Sequence, residues 1–359
     1  MKIGIVGLPN AGKSSLFNAL TQAGVEAANY PFTTIEPNVA IVPVRDERLD
    51  AVASLLRSSE VVYDTIAFHD IAGLVAGAHR GEGLGNRFLA NIRETDAILH
   101  VVRCHGDQSV VHPEGRVDPI ADVETIETEL ALADLEQAER RLDRVRRVAR
   151  SGDRTAIAEE AWLGEVIEAL QAGRPARTVP VPAEAGDALR SLGPITAKPT
   201  LFVANVDEGS DVIPAALVAH AAAQGAAVVA VSARVESELA ELDAEDATAL
   251  RTELGVAESG LERVVRGAFE LLELNAFFTA GEDKPAQSWH LRRGLTAWHA
   301  AGEIHSDIQR GFVRAEVVGW RELLDAGGYA GARERGVLRL EGRDYAMRDG
   351  DVITVKFTP

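Results

Sequence analysis

Gly7-Leu8-Pro9-Asn10-Ala11-Gly12-Lys13-Ser14 decides the fold of this chain. Residues 2–7 form a short β-rich run ahead of it, and Ser15 to Leu20 continue behind it at helical spacing. Strand, glycine-rich loop and helix in that order are the context a phosphate-binding P-loop requires. The glycines let backbone N–H groups of Asn10, Ala11, Gly12, Lys13, Ser14 and Ser15 wrap a row of phosphates. Lys13 reaches the β and γ phosphates as a catalytic cation, and the Ser14 hydroxyl can ligate Mg²⁺. A turn kept for packing alone would not need Lys and Ser in this register.

Working outward, short apolar runs at about 64–70, 97–103, 199–205 and 226–232 alternate with stretches of helical periodicity. That alternation predicts a doubly wound α/β domain with a parallel sheet. It is interrupted near Asp122. Val123, Ile126 and Leu130 lie three or four apart, and after a one-residue offset so do Ala131, Leu135, Ala138, Leu142, Val145 and Ala149, an apolar seam along one long helix. Gly152 breaks the pattern, and a second helical stretch ends at Gly173 and Pro175, so the two predict a helical coiled-coil hairpin. From Phe277 onward short strands and helices predict a small α+β domain, in which the Asp349-Gly350 turn reads as a hairpin. The expected domains are 1–121 with 191–275 for nucleotide, 122–190 for the helical insertion and 276–359 at the end.

A length of 359 residues fits two or three such domains, at roughly 100 to 200 residues each. No apolar run reaches ~18 residues and the N-terminus carries no cleavage signal, so a cytoplasmic protein with no membrane contact is expected. The single cysteine, Cys104, excludes an internal disulfide or a cysteine-rich zinc site. A net charge of −18 would repel nucleic acid if evenly spread, but it is not. Residues 276–359 hold 12 basic and 12 acidic side chains, against 25 and 43 in the rest, and Arg140, Arg141, Arg144, Arg146, Arg147 and Arg150 crowd the end of the long helix. These are the places where an acidic partner could dock, although a solvated helix face accounts for the arginines equally simply.

A P-loop does not choose its chemistry; the motifs after it do. Asp70-Ile-Ala-Gly73 follows a strand, where Asp70 can hold Mg²⁺ through water and the Gly73 N–H can meet the γ phosphate. Thr34, in Pro31-Phe32-Thr33-Thr34-Ile35, offers a second hydroxyl to the metal. Asn205-Val206-Asp207-Glu208 stands where a GTPase carries Asn-Lys-x-Asp. With Glu208 one methylene longer than the guanine-clamping Asp, and Val206 in place of Lys, the site gives up guanine selectivity and ATP becomes the expected nucleotide; in the rival alignment Asp207 replaces the clamp one residue early. Ser232-Ala233 would complete the base pocket through backbone amides.

Together with Asn29-Tyr-Pro-Phe-Thr-Thr-Ile-Glu-Pro-Asn38 and Asp70-Ile-Ala-Gly-Leu-Val-x-Gly-Ala-x-x-Gly-x-Gly-Leu-Gly-Asn86, these motifs resemble the YchF or Obg-like ATPase family over the whole chain. The resemblance implies Mg²⁺-dependent ATP hydrolysis, association of a monomer with the ribosome through large-subunit rRNA, a coiled-coil insertion, and a ubiquitin-like TGS domain, which Gly302 to Asp307 and the C-terminal segment resemble. It also implies slow catalysis, because Leu74 stands where Ras-type enzymes have the water-orienting Gln. His112 aligns with the family's proposed catalytic histidine, with His79 and His105 as weaker candidates. Asn10 matches the residue that holds K⁺ in related cation-activated GTPases. Thr33 departs from members that carry a cysteine there. A conventional Obg-type GTPase and a nucleotide-locked ribosome-binding module are the alternatives.

Overall fold

The computed structural model describes residues 1–26, 38–71, 84–107, 110–112, 115–254 and 259–358. In chain order its elements are β1 (Lys2–Val6), α1 (Lys13–Glu26), β2 (Val39–Pro43), α2 (Glu47–Leu56), β3 (Val61–Val62), β4 (Thr65–Asp70), α3 (Leu84–Arg93), β5 (Ala97–Arg103), α4 (Pro119–Ala149), α5 (Arg154–Gln171), α6 (Ala188–Leu192), β6 (Thr200–Asn205), α7 (Ala215–Ala223), β7 (Ala227–Val231), α8 (Ala233–Leu239), α9 (Ala244–Glu253), α10 (Gly260–Leu271), β8 (Leu274–Gly281), β9 (Lys284–Arg292), α11 (Ala297–Ile304), α12 (Ser306–Arg310), β10 (Phe312–Gly319), α13 (Trp320–Ala326), α14 (Tyr329–Glu334), β11 (Arg339–Glu341) and β12 (Asp351–Phe357). Among the described residues no helix is long and apolar enough to cross a membrane. The chain divides into two compact units, Met1–Val42 with Ala67–Leu271 and Pro43–Ile66 with Leu272–Pro359.

In the first unit a six-stranded sheet runs β2-β4-β1-β5-β6-β7, and the strands from β4 to β7 are parallel. All seven residues of β5 are buried, as expected for a strand with both faces covered by helices. The register places Arg103 beside Asn205 and Asn205 beside Val231. The loops that leave β5, β6 and β7 therefore open at one edge, the carboxyl edge where α/β sheets bind ligands.

Helix α4 starts at Pro119, because Asp118 caps it by accepting the Ala121 N–H at 3.2 Å and proline fits the first turn. The offset in its apolar seam has a packing cause. Ile126, Leu130 and Ala133 join Val6, Leu8, Phe88, Leu89 and Ile98 in one core. Ala138, Leu142, Val145 and Ala149 join Trp162, Leu163, Val166 and Leu170 of α5 in another. One helix thus serves the nucleotide domain first and the hairpin second. At the join, Asp134 is buried and accepts from the Ile195 N–H at 2.9 Å, the Thr196 N–H at 2.7 Å and the Thr196 hydroxyl at 2.8 Å, with Arg93 at 3.3 Å.

The second unit is built on a sheet in the order β11-β10-β12-β8-β9-β3, with β12 parallel to β8 and antiparallel to β10. Phe277, Leu291, Phe312, Val317 and Ile353 pack against Ala297, Ala300 and Ala301 of α11. The Asp349-Gly350 turn does not join a hairpin, contrary to the expectation: β12 pairs with β10 and β8, and the chain before the turn is not a strand. Asp349 is instead engaged by the Ala276 N–H and by Arg48, tertiary partners that a local turn signal cannot reveal. Residues 43–66, expected in the nucleotide domain, belong to this unit. Val61 and Val62 pair with Ala286 and Gln287, the Ala286 N–H donates to the Glu60 carbonyl at 2.8 Å, and Asp64 accepts the His290 N–H at 2.9 Å. This segment covers the outer edge of β9.

Candidate functional site

The P-loop geometry follows from its residue types. Gly7 and Gly12 hold φ of 155° and 99°. A Cβ on Gly12 would lie 2.2 Å from Asn205 Nδ2, so only glycine lets the loop close on that side chain. Asn10 takes φ 63°, and its side-chain amide donates to the Val111 carbonyl at 2.9 Å. Asn205 braces the arrangement from β6: its Nδ2 donates to the Ala11 carbonyl at 3.0 Å, and its Oδ1 accepts the Ala233 N–H at 3.0 Å. Asn205 and Ala233 are therefore joined to each other. The Ala233 amide, expected to face a base, is engaged in this brace.

Lys13 is buried and donates to the Leu8 carbonyl at 2.8 Å. Burial pushes its ammonium down to about 8, against the opposing pull of Asp70. Asp70, half-buried at the end of β4, has its carboxyl raised by the same desolvation and lowered by Lys13. A lysine held this way is a cation waiting for anionic company, since a phosphate group restores the charge balance that burial removed.

Lys13 borders a cleft of about 760 Å³, and Asp70 is not among the residues that line it. Of the residues expected from sequence, Asn10, Gly12, Lys13, Ser14, Ser15, Asn205, Val206, Glu208, Ser232 and Ala233 line it. Ala11 lies behind the wall and contributes its carbonyl to Asn205. Thr34 and Gly73, with Leu74 and His79, lie outside the described residues. His112 is not among the lining residues. It is buried, with Nε2 3.0 Å from Asp122 Oδ2 in the first turn of α4. His105 does line the cleft, with Asp107, Val110, Arg234, Ser237 and Glu238. Arg234 and Glu238 could have been found, since they follow Ser232-Ala233 at i,i+4 spacing; Asp107 and Val110 reach the cleft through loop folding that carries no periodic signal.

Asp207, the rival clamp, has its Oδ1 accepting the Gly106 N–H at 3.3 Å. Ser14 is exposed at the start of α1 and presents a hydroxyl to the cleft. A hydroxyl of this kind suits Mg²⁺, a hard cation that keeps much of its own water and shares phosphate oxygens.

Comparison with known proteins agrees with this geometry. A family model described as 50S ribosome-binding GTPase matches residues 2–139. A second, the YchF-GTPase C-terminal model described as a protein of unknown function (DUF933), matches residues 274–358. The Ribosome-binding ATPase YchF of Bacillus subtilis (strain 168) is 48% identical over 360 residues, covering 99% of this chain and 98% of that protein. That of Escherichia coli O157:H7 is 48% identical over 359 residues, covering 99% of each. The structure of the Schizosaccharomyces pombe YchF GTPase superposes with a TM-score of 0.86 at 32% identity, over 99% of this chain and 97% of that one. With its P-loop fold and near-complete alignment to these relatives, this chain belongs to the YchF family.

Proposed function

We propose that this protein is a Mg²⁺-dependent ATPase that uses ATP binding and hydrolysis to control its attachment to the ribosome. The observation that carries the reading is the buried Lys13 of a glycine-built loop, opening on a cleft that is also lined by Glu208, which stands in place of a guanine-clamping Asp. The relatives named as ribosome-binding ATPases, aligned over essentially the full length, support both halves of it. In the bound state the loop amides and Lys13 would hold the phosphates, and Ser14, Thr34 and, through water, Asp70 would hold Mg²⁺, which supplies charge neutralisation at the phosphates. Gly73 would meet the γ phosphate. Asn10 would be the residue that serves K⁺. His112 would act on the attacking water only after giving up Asp122. Rigid attachment to the ribosome is assigned to the helical insertion 122–190 and the C-terminal TGS-type domain 276–359, in the cytoplasm and as a monomer contacting large-subunit rRNA.

The test is side-by-side affinity for ATP and GTP, with Lys13→Ala and His112→Ala. ATP is expected to bind more tightly than GTP. Lys13→Ala is expected to lose triphosphate affinity by about a hundredfold, the loss of a charge-assisted contact to phosphate, while His112→Ala keeps ATP affinity and loses turnover. A tenfold preference for GTP would remove the ATPase reading in favour of an Obg-type GTPase. Retained ATP affinity in Lys13→Ala would make the loop structural.

A further inference from the structure

The base end of the cleft holds a charged group whose partners contradict a simple loss of the guanine clamp. Glu208 still offers a carboxylate there, and a carboxylate one methylene longer than Asp could reach guanine with a small shift. Its oxygen is already engaged. Arg234, in the first turn of α8, sets its Nε 3.1 Å from Glu208 Oε1 and 3.1 Å from Glu238 Oε1, and all three side chains line the cleft. The three are well exposed, so the pairs contribute little to stability. Fold stability does not account for an arginine at this place.

On its Watson–Crick edge guanine presents two neighbouring donors, N1–H and the 2-amino group, which a carboxylate accepts side by side. Adenine turns an acceptor, N1, to the same point. A guanidinium has donors only: it cannot accept from guanine's N1–H and 2-amino group, and by pairing with Glu208 it occupies the carboxylate that could. Its donors match adenine's N1 but also guanine's O6, so the discrimination lies in the loss of a free acceptor. A mismatch of this kind leaves polar groups unpaired in the bound complex, which is where large discrimination factors arise.

We propose that Arg234 is a specificity-determining residue of the base pocket: it neutralises Glu208 and places donors where a guanine-selective site places acceptors. The proposal rests on the ATP reading above. Asp207 also lines the cleft, with its Oδ1 accepting from the Gly106 backbone N–H at 3.3 Å.

The experiment measures equilibrium affinities of the full chain for ATP, GTP and ITP, in the unaltered protein and in Arg234→Met, Glu208→Gln and the double variant. Freed of its partner, Glu208 is expected to raise GTP affinity relative to ATP by about tenfold or more in Arg234→Met. ITP, which lacks the 2-amino donor, is expected to gain less. In the Glu208→Gln background Arg234→Met should no longer move the ratio, which separates a role in recognition from a merely structural one. An unmoved ratio in Arg234→Met, or a gain that survives in the double variant, overturns the proposal alone. A tenfold GTP preference in the unaltered chain overturns the ATP reading and this proposal with it.

Discussion

Lys13 sits where its charge costs the fold most. Its pKa is lowered to about 8 by burial, below the ordinary lysine value reached in the unfolded chain. The unfolded state therefore binds the proton more strongly, and the penalty is full below about pH 8 and fades as pH rises towards the ordinary value. Lys13→Met is expected to raise stability at pH 7 by about 1 to 3 kcal/mol while abolishing triphosphate binding. Chemical denaturation at pH 7 and pH 10 checks this, with the gain smaller at the higher pH; an equal or larger gain at pH 10 would contradict it. At this scale the sequence was most legible where spacing is local. The loop from Gly7 to Ser14 and the Asn205 to Glu208 stretch both reached the cleft because each is one continuous turn after one strand. Asp107 and Val110 were not legible, since nothing in their neighbours says that separate loops converge on the cleft. Burial pushes the Cys104 thiol up to about 12.

Helix α4 is about 46 Å long at ~1.5 Å per residue, and its two seams make it a rigid arm with one root and one tip. At the root, Asp134 holds the returning chain at Ile195 and Thr196. Asp134→Ala leaves two buried N–H groups and the Arg93 charge without that carboxylate, and is expected to cost about 3 to 5 kcal/mol in urea unfolding. A cost below ~1 kcal/mol would show that the return segment is held by packing alone. An aspartate within a helix reads in sequence as a solvated residue, so this anchor was invisible. The offset in the apolar seam was visible, because it changes the helical phase itself. At the tip, Arg141 pairs with Glu159 at 2.7 Å and Arg146 with Glu160 at 3.3 Å, which gives two of the crowded arginines an acidic neighbour on α5. Arg140, Arg144 and Arg147 share the face of α4 opposite its buried seam, and Arg140 pairs with Glu136. Changing Arg144, Arg147 and Arg150 to Glu is expected to weaken ribosome sedimentation and lower its log–log salt slope by about two to three. Unchanged binding across the salt series would assign the arginines to solvent.

On the scale of the whole molecule, the chain does not complete one unit before starting the next. Residues 43–66 leave the first unit after β2, supply α2 and β3 to the second, and return as β4. Periodicity could not show this, because a strand, a helix and a strand in that stretch look the same whichever sheet they join. Leu49 and Val52 of α2 are fully buried and β3 covers the edge of β9. A fragment of residues 272–359 alone is therefore expected to lack cooperative unfolding, and the same fragment joined to residues 43–66 by a flexible linker to show it, by circular dichroism on heating. Cooperative melting of the shorter fragment would contradict the assignment. The interleaving also orders events during synthesis. Residues 43–66 emerge roughly 200 residues before the strands they pair with, which at ~5 to 20 residues per second is a wait on the order of ten seconds or more. Through that interval the nascent chain carries an unpaired helix and edge, and the P-loop itself waits for its brace until Asn205 and Ala233 have emerged, so the nucleotide site closes only shortly before the strands that residues 43–66 await.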